Sequence, residues 1–395
     1  MFETLAELPP DAILKIIAEH KNDTRPDKVD LGVGVYRDEA GGTPIPRAVK
    51  KAEQYLVETQ DTKAYLGSAG DEVFNAEMQR MTLGSEWDGS DRITTVQTPG
   101  GSGSLRIAAG LLLRARPDAR VWVSEPTWNN HIPLLGGAGL KLENYPYYDA
   151  DSNRLRFDDM LAALAEVSAG DIVLFHGCCH NPTGLDPSPE QWDAIAAVVA
   201  ERGLIPFVDI AYQGLANGID EDRYAIEKLA ANAEEMLVST SCSKNFALYR
   251  DRVGTLSLIS PNASVNGIVR SQVLQIVRTM YSVPPDHGCA VVSHIMRDAE
   301  LKADWLDELA EMRDRLKGVR KRLVDALRER APHRDFSHIT QANGMFCFLG
   351  VSVEQVQRLK SEFGVYMVDS GRINVAGITA DNVDYLAEAI AAVVG

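Results

Sequence analysis

The sequence predicts an α/β fold in which a mainly parallel sheet is covered by helices on both faces. Short apolar runs typical of buried strands alternate with longer helical patterns through the middle of the chain. Such alternation is typical of parallel strands whose connecting helices pack on the two faces of the sheet. Beyond about residue 300 the pattern changes to long helices with few strands, which indicates a second, smaller α+β domain.

Five apolar runs carry the strand prediction. They are RVWVSE (120–125), DIVLFHG (171–177), GLIPFVDI (203–210), MLVSTS (236–241) and GTLSLIS (254–260). Helical periodicity occupies 104–116 and 188–203, and the second segment begins with Ser188 as a suitable N-cap.

The C-terminal part begins with one long amphipathic helix, predicted at 305–330. We therefore expect an N-terminal arm and part of the small domain at 1–42, a large domain at 43–304 and a small C-terminal domain at 305–395.

Charge and composition restrict the kinds of partner. The 395-residue chain has a formal net charge of −16, which argues against nucleic acid and against an anionic membrane surface as partners. No run reaches the roughly 18 apolar residues of a membrane helix, and the N-terminal segment lacks the features of a signal peptide. We expect a cytoplasmic protein that captures anionic ligands with a few placed arginines or lysines.

The cysteines predict neither a disulfide framework nor a metal site. Cys178 and Cys179 are adjacent and precede His180, but neighbouring ligands rarely reach one tetrahedral ion, and no CxxC or HExxH motif occurs. We expect buried thiols with a structural role and no bound metal.

Lys244 is the most informative residue. It lies in SCSKN (241–245) after an apolar run, hence at a strand end, where open α/β sheets place their ligands. Three interpretations are open: a surface lysine, the lysine of a serine-hydrolase Ser-x-x-Lys motif, or a lysine that forms a Schiff base with pyridoxal 5'-phosphate (PLP). The hydrolase motif needs SDN and KTG companions, which the sequence lacks. In the PLP interpretation Ser241, Ser243 and Arg252 bind the phosphate.

Asp209 supports the PLP interpretation. It lies near the end of the run at 203–210, where a carboxylate is costly to bury without a partner. The protonated ring nitrogen of PLP is such a partner, and an aspartate there keeps the ring able to withdraw electrons. Tyr212 is then a candidate donor to the ring oxygen. The alternative is that Asp209 only starts a turn.

The segment HGCCHNPTG (176–184) also follows a predicted strand. Its Asn-Pro-x-Gly sequence predicts a turn, and the Asn181 amide is a second candidate donor to the ring oxygen. His176 is either a support for Asp209 or a core histidine with its own partner.

Three further candidates each keep a structural alternative. GGSGS (100–104) precedes the helix predicted at 104–116, as a phosphate cradle or as an ordinary helix-starting turn. Trp128 either stacks on the pyridine face or packs in the core. Arg372 either clamps a substrate α-carboxylate with two hydrogen bonds or makes a surface ion pair.

Together these segments resemble the class I, fold-type I aminotransferases, which depend on PLP, and above all the branch that acts on aspartate and aromatic amino acids. The resemblance runs in order along nearly the whole chain, through LGVGVYRDEAGGTPIPRAV, TKAYLG, TPGGSGSLR, HGCCHNPTG, VDIAYQG, SCSKNFALYRDRVG, YSVPPDHG and SGRINVAG. It implies a large PLP-binding domain with a seven-stranded sheet, a small domain built from both termini, and a homodimer with active sites shared at the subunit interface.

The resemblance also implies roles for individual residues. The catalytic residues are Lys244, Asp209 and Tyr212. The cofactor-binding residues are Gly101, Ser102, Trp128, Asn181, Asp209, Tyr212, Ser241, Ser243, Lys244, Arg252 and Tyr65, the last reaching into the partner subunit. The substrate-binding residues are Gly34, Trp128, Asn181, Arg278 and Arg372, with Arg278 crossing the interface to a dicarboxylate side chain. His131 lies behind Asp209.

Three departures from the dicarboxylate-specific pattern bear on the substrate. Enzymes of the family restricted to dicarboxylates usually have Asn where this chain has Ala64 and Val283, and Thr where it has Ser102. These departures favour dual specificity, with aspartate or glutamate bound through Arg278 and an aromatic amino acid accepted when Arg278 swings away. A strict aspartate aminotransferase is the alternative.

Two other classes of function are alternatives to transamination. Another fold-type I chemistry, such as β-elimination or decarboxylation, would use the same cofactor pocket, but the paired Arg372 and Arg278 favour transamination of dicarboxylates. A regulator with an aminotransferase-like domain is disfavoured, because Lys244 and Asp209 are both present and no basic segment precedes the matching region.

Overall fold

A seven-stranded, mainly parallel sheet organises the fold in this computed structural model, which describes residues 1–8 and 12–395. In chain order the strands are β1 (Val29–Asp30), β2 (Ile93–Pro99), β3 (Arg120–Glu125), β4 (Lys141–Pro146), β5 (Tyr148–Asp149), β6 (Arg154–Leu155), β7 (Ile172–His176), β8 (Ile205–Ile210), β9 (Met236–Ser241), β10 (Val253–Ile259), β11 (Phe346–Phe348), β12 (Val365–Tyr366) and β13 (Arg372–Asn374). The large sheet has the order β2-β10-β9-β8-β7-β3-β4; β10 runs antiparallel to both of its neighbours, and the other pairs are parallel. The predicted α/β class is confirmed.

Helices connect these strands and flank the sheet. In chain order they are α1 (Ala12–Asn22), α2 (Arg47–Thr59), α3 (Glu72–Leu83), α4 (Gly100–Ala115), α5 (His131–Leu135), α6 (Phe157–Ala165), α7 (Pro189–Arg202), α8 (Tyr224–Asn232), α9 (Ala263–Met280), α10 (His287–Arg297), α11 (Ala299–Arg330), α12 (His338–Gln341), α13 (Val353–Phe363) and α14 (Val383–Val394).

Both faces of the sheet are buried, as β7 illustrates. Ile172 and Leu174 belong to one hydrophobic cluster together with residues of α4 and α9, whereas Val173 and Phe175 belong to a second cluster together with residues of α7 and α8. Since successive side chains of a strand point to opposite faces, helices cover the sheet on both sides.

The five predicted strands are all present, as β3 and β7–β10, and their ends agree to within two residues. The apolar patterns miss β2, whose buried residues include two Thr and a Gln, and β4, a largely exposed edge strand with charged side chains. Two helix starts are wrong: α4 begins at Gly100 rather than 104, and α11 at Ala299 rather than 305. In α11 the Asp298 side chain caps the earlier start by accepting from the backbone N–H groups of Glu300 and Leu301.

The two ends of the chain meet beside the large sheet. Strand β1 pairs in parallel with β12, and β13, which carries Arg372, pairs with β11. The domain boundaries expected at 42/43 and 304/305 stay a prediction; α11 crosses the second of them. Among the described residues, no helix is both long and apolar enough to cross a membrane.

Candidate active site

Lys244 follows β9 at the edge of the sheet where the parallel strands have their carboxyl ends. Its segment is held in place by α11. The indole N–H of Trp305 donates to the Asn245 carbonyl at 2.7 Å, and the Trp305 ring stacks on Phe246 with centroids 4.3 Å apart. Nζ of Lys244 lies 5.0 Å from the centre of the Tyr212 ring. Burial lowers the pKa of Lys244 to about 8, the Asp209 carboxylate opposes this shift, and the Arg252 cation adds to it. The amine therefore loses its proton in the mildly basic range.

Asp209, near the end of β8, starts a chain of hydrogen bonds. Its Oδ2 lies 3.0 Å from Nε2 of His131; Nδ1 of His131 lies 2.7 Å from the Thr127 hydroxyl, which is 3.2 Å from Nε2 of His176. Burial, together with the adjacent His131, lowers the pKa of His176 to about 3, so its ring is neutral. Within the described part of the chain Oδ1 of Asp209 has no hydrogen-bond partner. His131 thus contacts Asp209 directly, whereas His176 supports it indirectly, through Thr127 and through its ring contact with His131 at 5.1 Å between centroids.

Two serines and an arginine form a polar cluster beside Lys244. Oγ of Ser241 is 3.0 Å from Oγ of Ser243, and Arg252 donates to the Tyr249 carbonyl at 3.1 Å. Arg252 holds a positive φ of 58°, a conformation that is uncommon for a residue with a side chain. These hydroxyl and guanidinium donors suit an anion with several oxygens.

The N-terminus of α4 lies against this cluster. Gly101 and Ser102 are in its first turn, where the backbone N–H groups have no partner within the helix. Gly100 has a φ of 71°, and a Cβ there would lie 2.6 Å from Nη2 of Arg252, so only glycine fits. The prediction that these residues precede the helix is wrong, because Pro99 is the N-cap residue and the glycines are in the first turn. A first turn still offers free donors and a positive dipole end to an anion.

Arg372 lies at the substrate end of the same cavity. It is 7% exposed, donates to the Gly32 carbonyl at 3.0 Å, and has its Cζ 4.4 Å from the centre of the Phe346 ring. No carboxylate among the described residues pairs with it, and its Nε lacks a hydrogen-bond partner. Burial lowers its pKa, and the nearby Tyr212 opposes this shift. An unpaired buried guanidinium is costly, so the position is prepared for a carboxylate ligand.

These groups line one cavity of about 170 Å³. The predicted residues that it brings together are Gly34, Gly101, Ser102, Trp128, Asn181, Asp209, Tyr212, Ser241, Ser243, Lys244, Arg252 and Arg372. Tyr65 and Arg278 do not line it. The Tyr65 side chain is 92% exposed, and Arg278 is an exposed residue near the end of α9 whose guanidinium donates to the Ser282 hydroxyl.

Sequence reasoning missed four lining residues, Ile13, Cys178, Ala211 and Phe346, and the linking hydroxyl of Thr127. Apolar side chains have no chemical signature, and their place in the cavity depends on how distant segments pack. The Thr127 hydroxyl reaches His176, which is 49 residues away along the chain, only because the fold brings the two together, so no spacing rule indicates it.

The donor set fits PLP. The cofactor has a phosphate dianion, a ring nitrogen that binds a proton, and an aldehyde that reacts with an amine. The cavity supplies the anion site around Arg252, a carboxylate oxygen of Asp209 that has no partner among residues 1–8 and 12–395, and the Lys244 amine with a lowered pKa.

Comparisons with known proteins agree on one family. The model of the family described as "Aminotransferase class I and II" matches residues 26–390. The aspartate aminotransferase of Haemophilus influenzae is 48% identical over 392 residues, 99% of each chain. The aromatic-amino-acid aminotransferase of Pseudomonas aeruginosa is 47% identical over 99% of this chain and 98% of its own. The crystal structure of the aromatic-amino-acid aminotransferase from Burkholderia pseudomallei, covalently bound to pyridoxal phosphate, covers both chains fully with a TM-score of 0.98 and 44% identity.

Proposed function

The chain belongs to the class I and II aminotransferases, and we propose that it transfers the amino group of either dicarboxylic amino acids (aspartate, glutamate) or aromatic ones (tyrosine, phenylalanine, tryptophan) to 2-oxo acids such as 2-oxoglutarate. It is a PLP-dependent enzyme with the type I fold. The observation that carries the proposal is the Lys244 amine, whose pKa is lowered to about 8, in one cavity with the buried Asp209 carboxylate and the Arg252 anion site.

We assign the cofactor contacts from the chemistry of each group. Arg252, Ser241, Ser243 and the first turn of α4 at Gly101 and Ser102 hold the phosphate. Asp209 keeps the proton on the ring nitrogen, with His131 fixing the carboxylate. Tyr212 and Asn181 donate to the ring oxygen, and Trp128 packs on the ring face. Bound there, PLP supplies an electron sink for the bond that is broken at the substrate Cα.

Lys244 attaches the cofactor and then serves as the base. Its freed amine removes the proton from the substrate Cα and returns a proton later in each half-reaction. In the chain without cofactor the pKa of Lys244 is about 8, so roughly a tenth of the amine is neutral at pH 7, compared with well under a thousandth for an ordinary lysine. Acid-base catalysis of this kind typically contributes about 10²–10⁴-fold to the rate.

Arg372 and Asn181 orient the substrate. The buried guanidinium binds the α-carboxylate with two parallel hydrogen bonds, and Gly34 leaves room beside it. With the carboxylate held by Arg372 and the substrate amine taking the place of the Lys244 amine on the cofactor, the Cα–H bond would stand perpendicular to the cofactor ring, within reach of the freed Lys244 amine. That geometry selects proton removal at Cα.

Arg278 is assigned to the side chain of a dicarboxylic substrate in the partner subunit. In the described chain its guanidinium is exposed and bonded to the Ser282 hydroxyl, so moving it aside loses little. The apolar Ala64 and Val283 and the small Ser102, where dicarboxylate-specific enzymes of the family have polar or larger residues, favour the acceptance of an aromatic ring. The two relatives compared above, one aspartate-specific in name and one aromatic, are almost equally similar, so the names do not decide between dual specificity and a strict aspartate aminotransferase.

A homodimer with shared active sites is part of the proposal. Tyr65 and Arg278 lie outside the cavity of their own chain, which supports a role for both in the cavity of a partner. The cytoplasmic location expected from the sequence stays a prediction.

The test is an absorbance titration of the purified protein. Bound PLP gives a band near the edge of the visible range, and the proposal predicts that both aspartate and phenylalanine bleach it. Bleaching by aspartate alone would leave a strict aspartate aminotransferase. A protein that gains no band after addition of PLP would contradict the assignment of Lys244.

A further inference from the structure

Arg320 on α11 is a buried arginine that the proposed mechanism does not use. It is 2% exposed and donates to three backbone carbonyls, at 3.0 Å to Gly344, 3.3 Å to Asn343 and 2.8 Å to Phe346. Its Nε has no partner, and no carboxylate of the described residues lies within ion-pair distance of it. Burying a cation without a carboxylate partner is costly. This cost indicates that holding the three carbonyls in place has a role in the protein.

One end of the segment 343–346 is tied to the loop after β7, which carries Asn181. The backbone N–H of Asn343 donates to the Gly184 carbonyl at 2.7 Å, and its side-chain amide donates to Asp186 at 2.9 Å. The same Asp186 carboxylate accepts hydrogen bonds from two backbone N–H groups of that loop. The loop and the segment therefore fix each other's position.

The loop after β7 and the segment 343–346 approach each other closely. Gly184 has a φ of 70°, and a Cβ on it would lie 2.2 Å from the carbonyl oxygen of Phe346. That carbonyl is one of the three that Arg320 binds.

The other end of the segment reaches the substrate carboxylate site. The Phe346 ring lies 4.4 Å from Cζ of Arg372 and packs edge-on against Tyr212 with centroids 6.1 Å apart. A cation over an aromatic face is held by the charge distribution of the ring. A shift of Phe346 therefore weakens one of the two contacts that hold the Arg372 guanidinium, the other being its hydrogen bond to the Gly32 carbonyl.

We propose that Arg320 is a positioning residue for substrate binding. By binding the carbonyls of 343–346, it holds Phe346 beneath Arg372, and it also holds the Asn181 loop against this segment. The inference rests on the proposed function, in which Arg372 and Asn181 hold the substrate. A planar guanidinium reaches three carbonyls at fixed angles, whereas the single ammonium of a lysine does not span them.

Arg315 provides a matched control. It lies five residues earlier on α11 and also binds backbone carbonyls, at Asp38, Ala376 and Ile378, in addition to the Glu39 carboxylate. None of its contacts involves the segment 343–346. Arg315→Met therefore removes a carbonyl-binding arginine from the same helix without touching the proposed clamp.

The experiment has two readouts on Arg320→Met, Arg320→Lys and Arg315→Met. The first is amide hydrogen exchange at 343–348 in the protein freed of PLP, which does not depend on catalysis. The second is the Kd of maleate and of 3-phenylpropionate for the PLP-loaded enzyme, measured by absorbance titration, with KM and kcat alongside.

For Arg320→Met we expect exchange at 343–348 to quicken about tenfold or more and both Kd values and KM to rise about tenfold, with kcat falling less than threefold. Arg320→Lys should lie between the wild type and the methionine variant, and it carries the test if the methionine variant does not fold. Arg315→Met should lower Tm while leaving exchange at 343–348 and both Kd values unchanged.

Unchanged exchange and unchanged Kd in the Arg320 variants would overturn the inference, as would equal effects of Arg315→Met. A wild-type enzyme that transaminates no amino acid would instead overturn the proposed function. In that case the exchange pattern of the PLP-free protein still decides whether Arg320 holds the segment.

Discussion

The two arginines assigned to the substrate are held in opposite ways. Arg372 is 7% exposed, lies on β13, and has the Phe346 ring and the Gly32 carbonyl as neighbours. Arg278 is exposed near the end of α9, with the Ser282 hydroxyl as its partner within the described part of the chain. One is fixed within its own chain before any ligand arrives, whereas the other has a single hydroxyl partner there and is the one that we propose to move.

The difference between the two arginines corresponds to the two parts of the substrate, a carboxylate that all amino acids share and a side chain that varies. Every amino acid presents the same α-carboxylate, so a preorganised guanidinium serves all of them and loses little entropy on binding. The side chains differ, and a mobile arginine binds a carboxylate when there is one and leaves when the side chain is an aromatic ring. We infer that breadth of specificity arises from this contrast between a rigid end and a movable end of the site.

The contrast between Arg372 and Arg278 affects catalysis only if both arginines bind a substrate that reacts at Lys244. Lys244→Ala should lower the rate of a single half-reaction at least about 10⁴-fold with aspartate and with phenylalanine alike, since the base and the cofactor attachment are both lost. Stopped-flow absorbance measures this. Lys228→Ala, which removes a surface lysine paired with Asp193, is the control and should match the wild type. A residual rate within tenfold of the wild type would break the account.

Arg372→Lys tests the rigid end. An ammonium cannot make two parallel bonds to the α-carboxylate, so kcat/KM should fall about 100-fold, or ~2.7 kcal/mol in transition-state binding. The fall should be equal for aspartate and phenylalanine. Steady-state kinetics with both amino acids measure it, and a loss confined to one of them would contradict the assignment to the shared carboxylate.

Arg278→Ala tests the movable end. We expect kcat/KM for aspartate to fall about 30-fold, or ~2 kcal/mol for a charged hydrogen bond, while that for phenylalanine stays within about threefold. Arg270→Ala, an exposed arginine on the same helix, is the matched control and should change neither value. Equal losses for both amino acids would remove the distinction between the two arginines.

The pH dependence of Lys244 gives the smallest expected effect. In the PLP-free protein its reaction with PLP or with a small acylating reagent should rise about tenfold per pH unit up to its pKa of about 8 and then level off, because only the neutral amine reacts. Asp209 raises this pKa, so Asp209→Asn should move the midpoint to lower pH. A midpoint near that of an ordinary lysine would show that burial does not act on this amine.

The same shift links Lys244 to stability. In the unfolded chain the lysine keeps its ordinary pKa of 10.5, so burial of the charged form opposes folding below pH 8. That opposition fades between pH 8 and 10.5, where the folded protein carries the neutral amine and the unfolded chain the charged one.

Much of the polar site was predictable because its residues follow apolar runs in the sequence. Lys244, Asp209 and Asn181 come at or just after the ends of β9, β8 and β7, and the carboxyl ends of parallel strands meet at one edge of a sheet. The α/β architecture was predictable because strands and helices alternate along the sequence.

The residues that brace the site were not predictable in this way. Trp305 contacts Asn245, and Arg320 contacts the segment 343–346, only because α11 packs across both, which no local spacing reveals. Strand β4 was missed because it is an edge strand with charged side chains, so it lacks the apolar run that marks a buried strand.

The most direct test compares two crystal structures of the PLP-loaded enzyme, one with maleate and one with 3-phenylpropionate. The account predicts that the Arg372 guanidinium binds the carboxylate of both ligands and shifts by less than about 1 Å between them. Arg278 of one subunit should bind the second carboxylate of maleate in the other subunit and turn away from the phenyl ring. An Arg278 in the same position in both complexes, or an Arg372 that moves with the ligand, would contradict the division into a rigid and a movable end.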